Sequence, residues 1–565
     1  MKNISSQLRD MADSFEADTD FFSDFKRKSV EKILLAEKHE NYKKAALIGR
    51  EIKSRAWKDK EEKKSMLLEL ISLFMECAIN KKGFLEPAAH SIIEVWKTLS
   101  LDEQSEFDYL IVKHIIEPLK DSFGREEDEI YLQFFSLFID AASKKSSKLK
   151  ELFTYLDLDE ERAGEFFIRR YFKSLQKRHT LTHEEKKNVM KVFVLSRGTI
   201  GADALISSIV LSRVAKELPK SEIIFIDSLS IGKEMFNFPN VKHISDFTIN
   251  GELRNLAWQR KAFSLLNRIE YALDLLECIH EETKKLSAEQ YLILDTNTRL
   301  SQTGILPLGD LRSYFFMSTY LSEEEEYYAA NLEYDKVSSL GDITNIYLNR
   351  IFGVGSRTFP EIAPSKSDLH KISSLYKKFS LDKDFSVLVH FGGEPESKYL
   401  SLDFEKSLVI NLIEKGIKPI IINTPVPREK VKIKSIIEFL NKNGVEVVNI
   451  NSEENSRSDK SAFLFEGSLG ELTSLIKISN FYIGYDSLGQ HLSSAVGTPL
   501  ATIFTGHINK VFLKRWTPFG RGFSKIIEID KKIDLYDSEK DRKKSDEKTL
   551  GEIFNYIEEY RKSKK

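Results

Sequence analysis

The chain predicts an α/β fold of two tandem, doubly wound, Rossmann-like halves facing a cleft, preceded by an all-α helical module. Three observations lead there. Residues 1–188 carry apolar side chains at three- and four-residue spacing, without a strand pattern. From residue 192, short apolar runs alternate with amphipathic helices, and a second such set begins near residue 384.

In the first stretch, LLELISLFMECAI (67–79) and YLQFFSLFIDAA (131–142) show wide apolar stripes of the kind that face a core. Pro87 and Pro118 fall near helix starts or breaks, where a missing N–H costs least. An array of helical hairpins fits this stretch, with no fixed-period repeat. LTHEEKKN (181–188) reads as a capped junction, so the module is expected to span 1–188.

The first half is expected over 189–375, with strands at VFVLS (192–196), EIIFID (222–227) and YLILD (291–295) and a long helical stretch at 251–290. The second is expected over 376–535. Its strands lie at FSVLVHF (385–391), PIIIN (419–423), VEVVNI (445–450), FYIGY (481–485) and LATIF (500–504). Near-continuous apolar strands alternating with helices imply parallel sheets covered on both faces. Residues 536–565 read as a polar, lysine-rich linker and a last helix, 549–563. Ligands of open α/β sheets bind beyond the carboxyl ends of the strands, so the cleft is the expected site.

Composition narrows the function classes. The 85 basic and 87 acidic side chains nearly cancel, without the basic excess of a nucleic-acid binder. No run approaches ~18 apolar residues, so no transmembrane segment is expected. The start of the chain has no apolar signal core, which points to a cytoplasmic protein; peripheral membrane contact stays open. Cys77 and Cys278 sit in apolar helical patterns and read as buried small hydrophobes.

The densest motif is YIGYDSLGQHLSSAVGTPLATIFTG (482–506): a strand, Asp486 at its end, a turn with Ser487 and Gly489, then a helix carrying His491. Backbone N–H groups at such a helix start can hold a phosphate. Asp486 could instead be a plain N-cap, and His491 a satisfied histidine on the buried helix face. Gly497 and Pro499 end the helix.

These residues resemble the heptosyltransferase family of GT-B glycosyltransferases. That family includes lipopolysaccharide core heptosyltransferases and relatives that modify autotransporter proteins. Its pattern is met by Gly467, Ser468 and Leu469, by Asp486, Ser487 and His491, by Ala495, Gly497 and Pro499, by Phe504, Thr505 and Gly506, and by Trp516 and Pro518. The family glycine is displaced: Leu488 stands in its place and Gly489 follows. A second match, VHFGGEPESKYLSLDFEKSL (389–408), has the Gly392–Gly393 turn and then Lys398 and Tyr399. The third, VFVLSRGTIGADALISSIVLSRV (192–214), has Arg197, Gly198, Ile200, Gly201 and Asp203, with Ala202 as an extra residue.

The resemblance spans about 190–530 and implies a GT-B fold and an inverting transfer that needs no metal or other cofactor. The co-substrate would be a nucleotide-sugar, ADP-heptose by resemblance. Asp203 would be the general base on the acceptor hydroxyl; its alternative is to cap the following helix. Lys398 would neutralise the donor's diphosphate, unless it is an ordinary surface lysine. Asp486, Ser487, Gly489, His491, Gly392, Gly393 and Thr505 would form the donor pocket. Arg197, Gly201 and Asp295 are candidates on the acceptor side. The acceptor is a glycan, a lipopolysaccharide or a protein, and the helical module serves acceptor binding or assembly, including assembly into a homo-oligomer. The rival reading is a non-catalytic scaffold that keeps the body as a binding platform.

Weaker signals stay weak. DLD (157–159) and DKD (382–384) match the metal-binding Asp-x-Asp pattern but read as solvated turns. HTLTH (179–183) reads as an interdomain junction, and SEEEEYY (322–328) as a solvated helix face.

Overall fold

The computed structural model describes the chain apart from residues 1–30, 34–39, 55–59, 81–82, 159–162, 178, 227–231, 237, 239, 245, 250–251, 256–263, 297–309, 320–338, 356, 394–397, 452–459, 506–509, 530–538 and 565. The SEEEEYY segment lies outside the described residues.

Helices come first: α1 (Glu40–Ser54), α2 (Lys60–Ile79), α3 (Glu86–Lys97), α4 (Leu101–Ile111), α5 (Glu117–Asp121), α6 (Arg125–Ser143), α7 (Ser147–Tyr155), α8 (Ala163–Gln176) and α9 (His183–Asn188). Pro87 and Pro118 occupy the first turns of α3 and α5. Thr182 and Glu185 form a capping box on α9, the junction read from LTHEEKKN.

The first sheet contains β1 (Lys191–Leu195), β2 (Glu222–Ile226), β3 (Val241–Ile244), β6 (Tyr291–Asp295) and β7 (Tyr314–Phe316), in the order β3-β2-β1-β6-β7 and wholly parallel. After β1 come a helical turn (Ile200–Ala202), a π turn (Asp203–Ser207) and α10 (Ser208–Glu217). Between β2 and β3 lies the short α11 (Gly232–Met235). The stretch expected to be helical over 251–290 begins differently. Strands β4 (Asp246–Ile249) and β5 (Glu252–Asn255) pair as an antiparallel hairpin, and only then does α12 (Leu265–Thr283) follow. The alternation in ELRN was too short to set a period. Helices α13 (Leu340–Phe352) and α14 (Lys366–Lys378) lead to the second sheet.

That sheet runs β10-β11-β9-β8-β12-β13-β14, again parallel throughout. Its strands are β8 (Ser386–His390), β9 (Lys418–Ile422), β10 (Glu446–Asn449), β11 (Ser461–Phe465), β12 (Phe481–Tyr485), β13 (Leu500–Thr505) and β14 (Ser524–Ile529). Its helices are α15 (Leu402–Glu414), α16 (Pro427–Lys442), α17 (Leu469–Ile478), α18 (Leu488–Val496), α19 (Lys510–Arg515) and α20 (Glu539–Ser563). The lysine-rich stretch read as a linker is the first half of α20.

Side-chain alternation along the strands assigns each sheet face to a different core. Val192, Val194, Ile223, Phe225, Leu292 and Leu294 point to one side, where they join Leu388, Ile420 and Tyr482 from the second sheet. Val387, Val389, Ile483 and Ile503 point away, under α15, α16 and α20. On the first sheet's other face, Phe193, Leu195, Ile224, Ile293 and Phe316 share a continuous core with α2–α8 and α12. The N-terminal helices therefore do not enclose a separate core; they cover a sheet face. Tyr171 of α8 meets Phe316 with ring centroids 5.1 Å apart. Lys177 donates to the carbonyls of Arg312 (2.6 Å) and Tyr314 (3.1 Å). Buried Asp108 of α4 accepts from Trp96 Nε1 and from the Leu265 N–H at the start of α12, each at 2.8 Å. Cys77 and Cys278 are buried and form no disulfide. No helix among the described residues is long and apolar enough to cross a membrane.

This packing has a direct consequence. A chain shortened to start at residue 189 is expected to expose the Phe193–Ile224–Ile293–Phe316 face and to associate or bind a hydrophobic dye, as large bare apolar patches do. Light scattering and dye fluorescence read this out. A monomeric product melting cooperatively at the full-length temperature would contradict it.

Candidate functional site

Both sheets reverse their winding at one point, between β1 and β6 in the first and between β8 and β12 in the second. Connections leave such a point in opposite directions and open a crevice at the carboxyl edge. In the second sheet that edge holds the Gly392–Gly393 turn and Lys398 after β8, Asp486 and Ser487 after β12, and Thr505 at the end of β13. The sequence patches around 392–398 and 486–491 thus meet in space.

Asp486 is buried, and each of its carboxylate oxygens is held. Lys398 Nζ donates to Oδ2 at 2.6 Å and also reaches the Asp486 carbonyl at 3.2 Å. Gln490 Nε2 donates to Oδ1 at 2.7 Å, and Gln490 Oε1 accepts from Thr502 at 2.8 Å. Asp486 is therefore a partner of Lys398 rather than a cap of α18. The N-cap is Ser487, whose side chain makes no capping bond. Lys398 stays 20% exposed, so it is paired without being sealed off. A surface lysine is not what the structure places there.

Glycines set how closely the parts approach. A Cβ on Gly489 would overlap the Tyr482 hydroxyl, so the displaced glycine makes room for that ring under the first turn of α18. A Cβ on Gly392 would lie 2.5 Å from His390 Nε2 and 2.6 Å from Glu429 Oε1. Gly393 donates its N–H to Glu429 at 3.1 Å. Gly497 adopts φ +82° and closes α18 as its left-handed C-cap. Among the described residues, several buried polar atoms in this small volume have no hydrogen-bond partner: His491 Nδ1, His390 Nε2 and Trp516 Nε1. Such atoms are costly unless something else satisfies them. His491 and Trp516 lie with ring centroids 5.9 Å apart.

Across the crevice, the helix start after β1 packs directly on α18. A Cβ on Gly201 would sit 3.4 Å from His491 and 3.5 Å from the Leu488 Cα, so this glycine is at the contact itself. Asp203 follows two residues on and is buried. Ser196 Oγ donates to its Oδ2 at 2.7 Å, the Arg197 N–H to its Oδ1 at 2.7 Å, and Ser207 to the same oxygen. These bonds tie the β1 turn, in which Gly198 takes φ +77°. The π turn at Asp203–Ser207 absorbs the extra residue at Ala202, since one added residue widens a helical turn from α to π. Arg197 donates to the Thr296 carbonyl and so links the ends of β1 and β6. Asp295 is wholly buried and accepts from the Tyr314 hydroxyl. This acceptor-side candidate is thus enclosed and tied to β7 by that bond.

Residues the sequence reading passed over complete the floor of the site. Glu405 is fully buried, accepts from Lys432 at 3.0 Å and from the Tyr485 hydroxyl at 2.8 Å, and is pushed up to about 7 by burial against the pull of Lys432. Lys432 also lies 3.8 Å from the centroid of the Tyr399 ring. The available signal was polar residues at strand ends and in first helical turns, such as His390 and Glu429. Among the described residues, no group of three or more His, Cys, Asp or Glu side chains is arranged to hold a metal ion. His179 of HTLTH bonds Glu185 at 2.8 Å at the junction.

His491 carries a pH signature. Burial lowers its pKa from 6.5 to about 4, with Asp486 opposing and Lys398 assisting. A depressed histidine pKa contributes stability that is complete above pH 6.5 and is lost as pH falls towards 4. His491→Gln is expected to remove on the order of 3 kcal/mol of acid destabilisation across that window. Urea melts at pH 7 and pH 4.5 measure it, and an unchanged difference between the two would contradict it.

No protein-family model and no curated protein matches this chain. Among solved structures, it is similar to a glycosyl transferase family 9 protein from Veillonella parvula, with 14% identity, a TM-score of 0.41, and 60% of this chain and 88% of that one covered. It is likewise similar to the E. coli ADP-heptose lipopolysaccharide heptosyltransferase II, with 14% identity, a TM-score of 0.39, and 66% and 99% covered. An iron-containing dodecameric glycosyltransferase from enterotoxigenic E. coli follows at 8% identity and a TM-score of 0.34, with 67% and 78% covered. Likeness at this level fixes neither activity nor substrate, and the functional reading rests on the residues above.

Proposed function

We propose that this chain is an inverting glycosyltransferase that works without a metal, moving a sugar from a nucleotide-sugar to a hydroxyl of a glycan, lipopolysaccharide or protein acceptor. The observation that carries the reading is the grouping at the start of α18. Lys398 lies within reach of a helix N-terminus, near the buried His491 Nδ1, which has no partner among the described residues. A diphosphate suits that combination: a fixed cation, the N–H groups of a helix start, and a buried polar atom without a partner among the described residues. When the sugar leaves, negative charge grows on the diphosphate, and Lys398 with the α18 terminus would stabilise it. His491, held neutral by burial, can bond a donor oxygen without adding charge. ADP-heptose is the donor suggested by the resemblance of the motifs.

Asp203 is the candidate base. It lies two residues beyond Gly201, where a Cβ would sit 3.4 Å from His491. It already accepts from Ser196, the Arg197 N–H and Ser207, bonds that hold the turn after β1. Those bonds favour a second reading, in which Asp203 only staples the turn and the body binds nucleotide without catalysis.

The two readings separate experimentally. Lys398→Ala is expected to weaken nucleotide-sugar binding by about 10- to 100-fold, the worth of a charge-assisted hydrogen bond. Asp203→Asn is expected to leave binding intact and abolish EDTA-insensitive turnover. Thermal shift and product assays over ADP-, UDP- and GDP-sugars measure both. Turnover surviving in Asp203→Asn would remove the base assignment. Wild type unmoved by any nucleotide-sugar would overturn the donor site.

A further inference from the structure

Among the described residues, two turns of the N-terminal helices, at Phe123 and at Leu181, leave their shared core and enter the one between the two sheets. Phe123, in the turn between α5 and α6, is buried there together with residues of the β1 and β12 sheets. Its φ is +55°, a conformation that a bulky side chain adopts only when its surroundings impose it. The turn is clamped from below. Lys120 and Asp128, both buried, pair across it, and the Tyr171 hydroxyl donates to the same carboxylate at 2.9 Å. The Gly124 N–H is taken by Ser122 Oγ at 3.2 Å, and Ser122 Oγ in turn donates to the Leu119 carbonyl at 2.7 Å.

What this clamp presents is a ring against the rim of the donor pocket. Phe123 and Phe512 of α19 lie with centroids 6.3 Å apart. Phe512 and Trp516 are 6.4 Å apart, and Trp516 and His491 5.9 Å. Lys398 Nζ stands 5.8 Å from the centroid of the Phe512 ring. A row of aromatic contacts therefore runs from the helices, over α19, to the histidine and lysine at the start of α18.

We propose that Phe123 is a positioning residue of the nucleotide site: the N-terminal helices set the rim formed by α19 and Trp516, and through it the placement of Lys398 and His491. The inference rests on the donor-site reading above. It gives the helices a part in donor binding besides covering the first sheet, and an acceptor seated on them would be coupled to that binding through this turn.

The test is titration calorimetry with ADP and with ADP-sugar on the full chain. Phe123→Gly removes the ring and relieves the backbone, which offsets part of the lost packing, and a melting curve checks that the fold is retained. It is expected to raise the nucleotide Kd roughly three- to tenfold, the range an aromatic contact supports. Phe123→Tyr keeps the ring and is expected to restore the wild-type Kd. Asp108→Asn, which loosens the same helices at their contact with α12, is expected to lower the melting temperature without changing the Kd. A Phe123→Gly Kd equal to wild type would overturn the inference alone. So would an equal loss in Asp108→Asn, which would mark general destabilisation. Wild type that binds no nucleotide would overturn the donor-site reading and this inference with it.

Discussion

Asp486 is a carboxylate buried at the carboxyl end of β12, and the arrangement of the candidate site follows from keeping it paired. An uncompensated buried charge costs several kcal/mol, so its partners are not optional. Lys398 comes from the turn after β8 and Gln490 from the first turn of α18, and Thr502 of β13 fixes Gln490 in turn. Strands β8, β12 and β13 are neighbours in the sheet, which is why residues so far apart in the chain can share one carboxylate. The pair also holds a lysine at a helix N-terminus before any ligand arrives. An anion that took Lys398 would exchange one partner for another and need not draw a free side chain out of water.

The remainder of the molecule brings two such edges together. Glycines at 201 and 489 let a helix start from each sheet approach the other, one against Leu488 and His491, one over Tyr482. The N-terminal helices close the far face of the first sheet and reach the second through Phe123. Asp108 is a further tie, between the N-terminal helices and α12. Burial raises its pKa to about 6 against the pull of the Leu265 N–H and of Trp96. Its contribution therefore weakens as pH rises from about 4 through 6, opposite in sign to that of His491.

Much of this was legible in the sequence, for physical reasons. Strands buried on both faces read as unbroken apolar runs, so β1, β2, β6, β8, β9, β12 and β13 stood out. Edge or short strands carry polar residues or too few positions to show a period, and β3, β7 and β14 went unread; β11, an interior strand of five residues, was missed as well, although the short edge strand β10 was read. The displaced glycine and the extra Ala202 were visible as irregularities, while their causes, the Tyr482 ring and a π turn, are three-dimensional. Asp203 could be a base or a staple of its turn because the local sequence is the same for both; its three donors are visible only in space. The helices at the N-terminus were recognised as helices. What they cover was not, since an apolar stripe does not name its partner. The Phe123–Phe512 contact joins distant parts of the chain through a backbone conformation that no local pattern announces.

The most direct test of the account is a crystal structure of the full chain with ADP bound in the absence of divalent metal. The account expects the diphosphate at the start of α18, with oxygens ~3 Å from Lys398 Nζ and from backbone N–H groups of the first turn. A nucleotide bound elsewhere, or at this edge with Lys398 still closed on Asp486 and away from the phosphates, would contradict it.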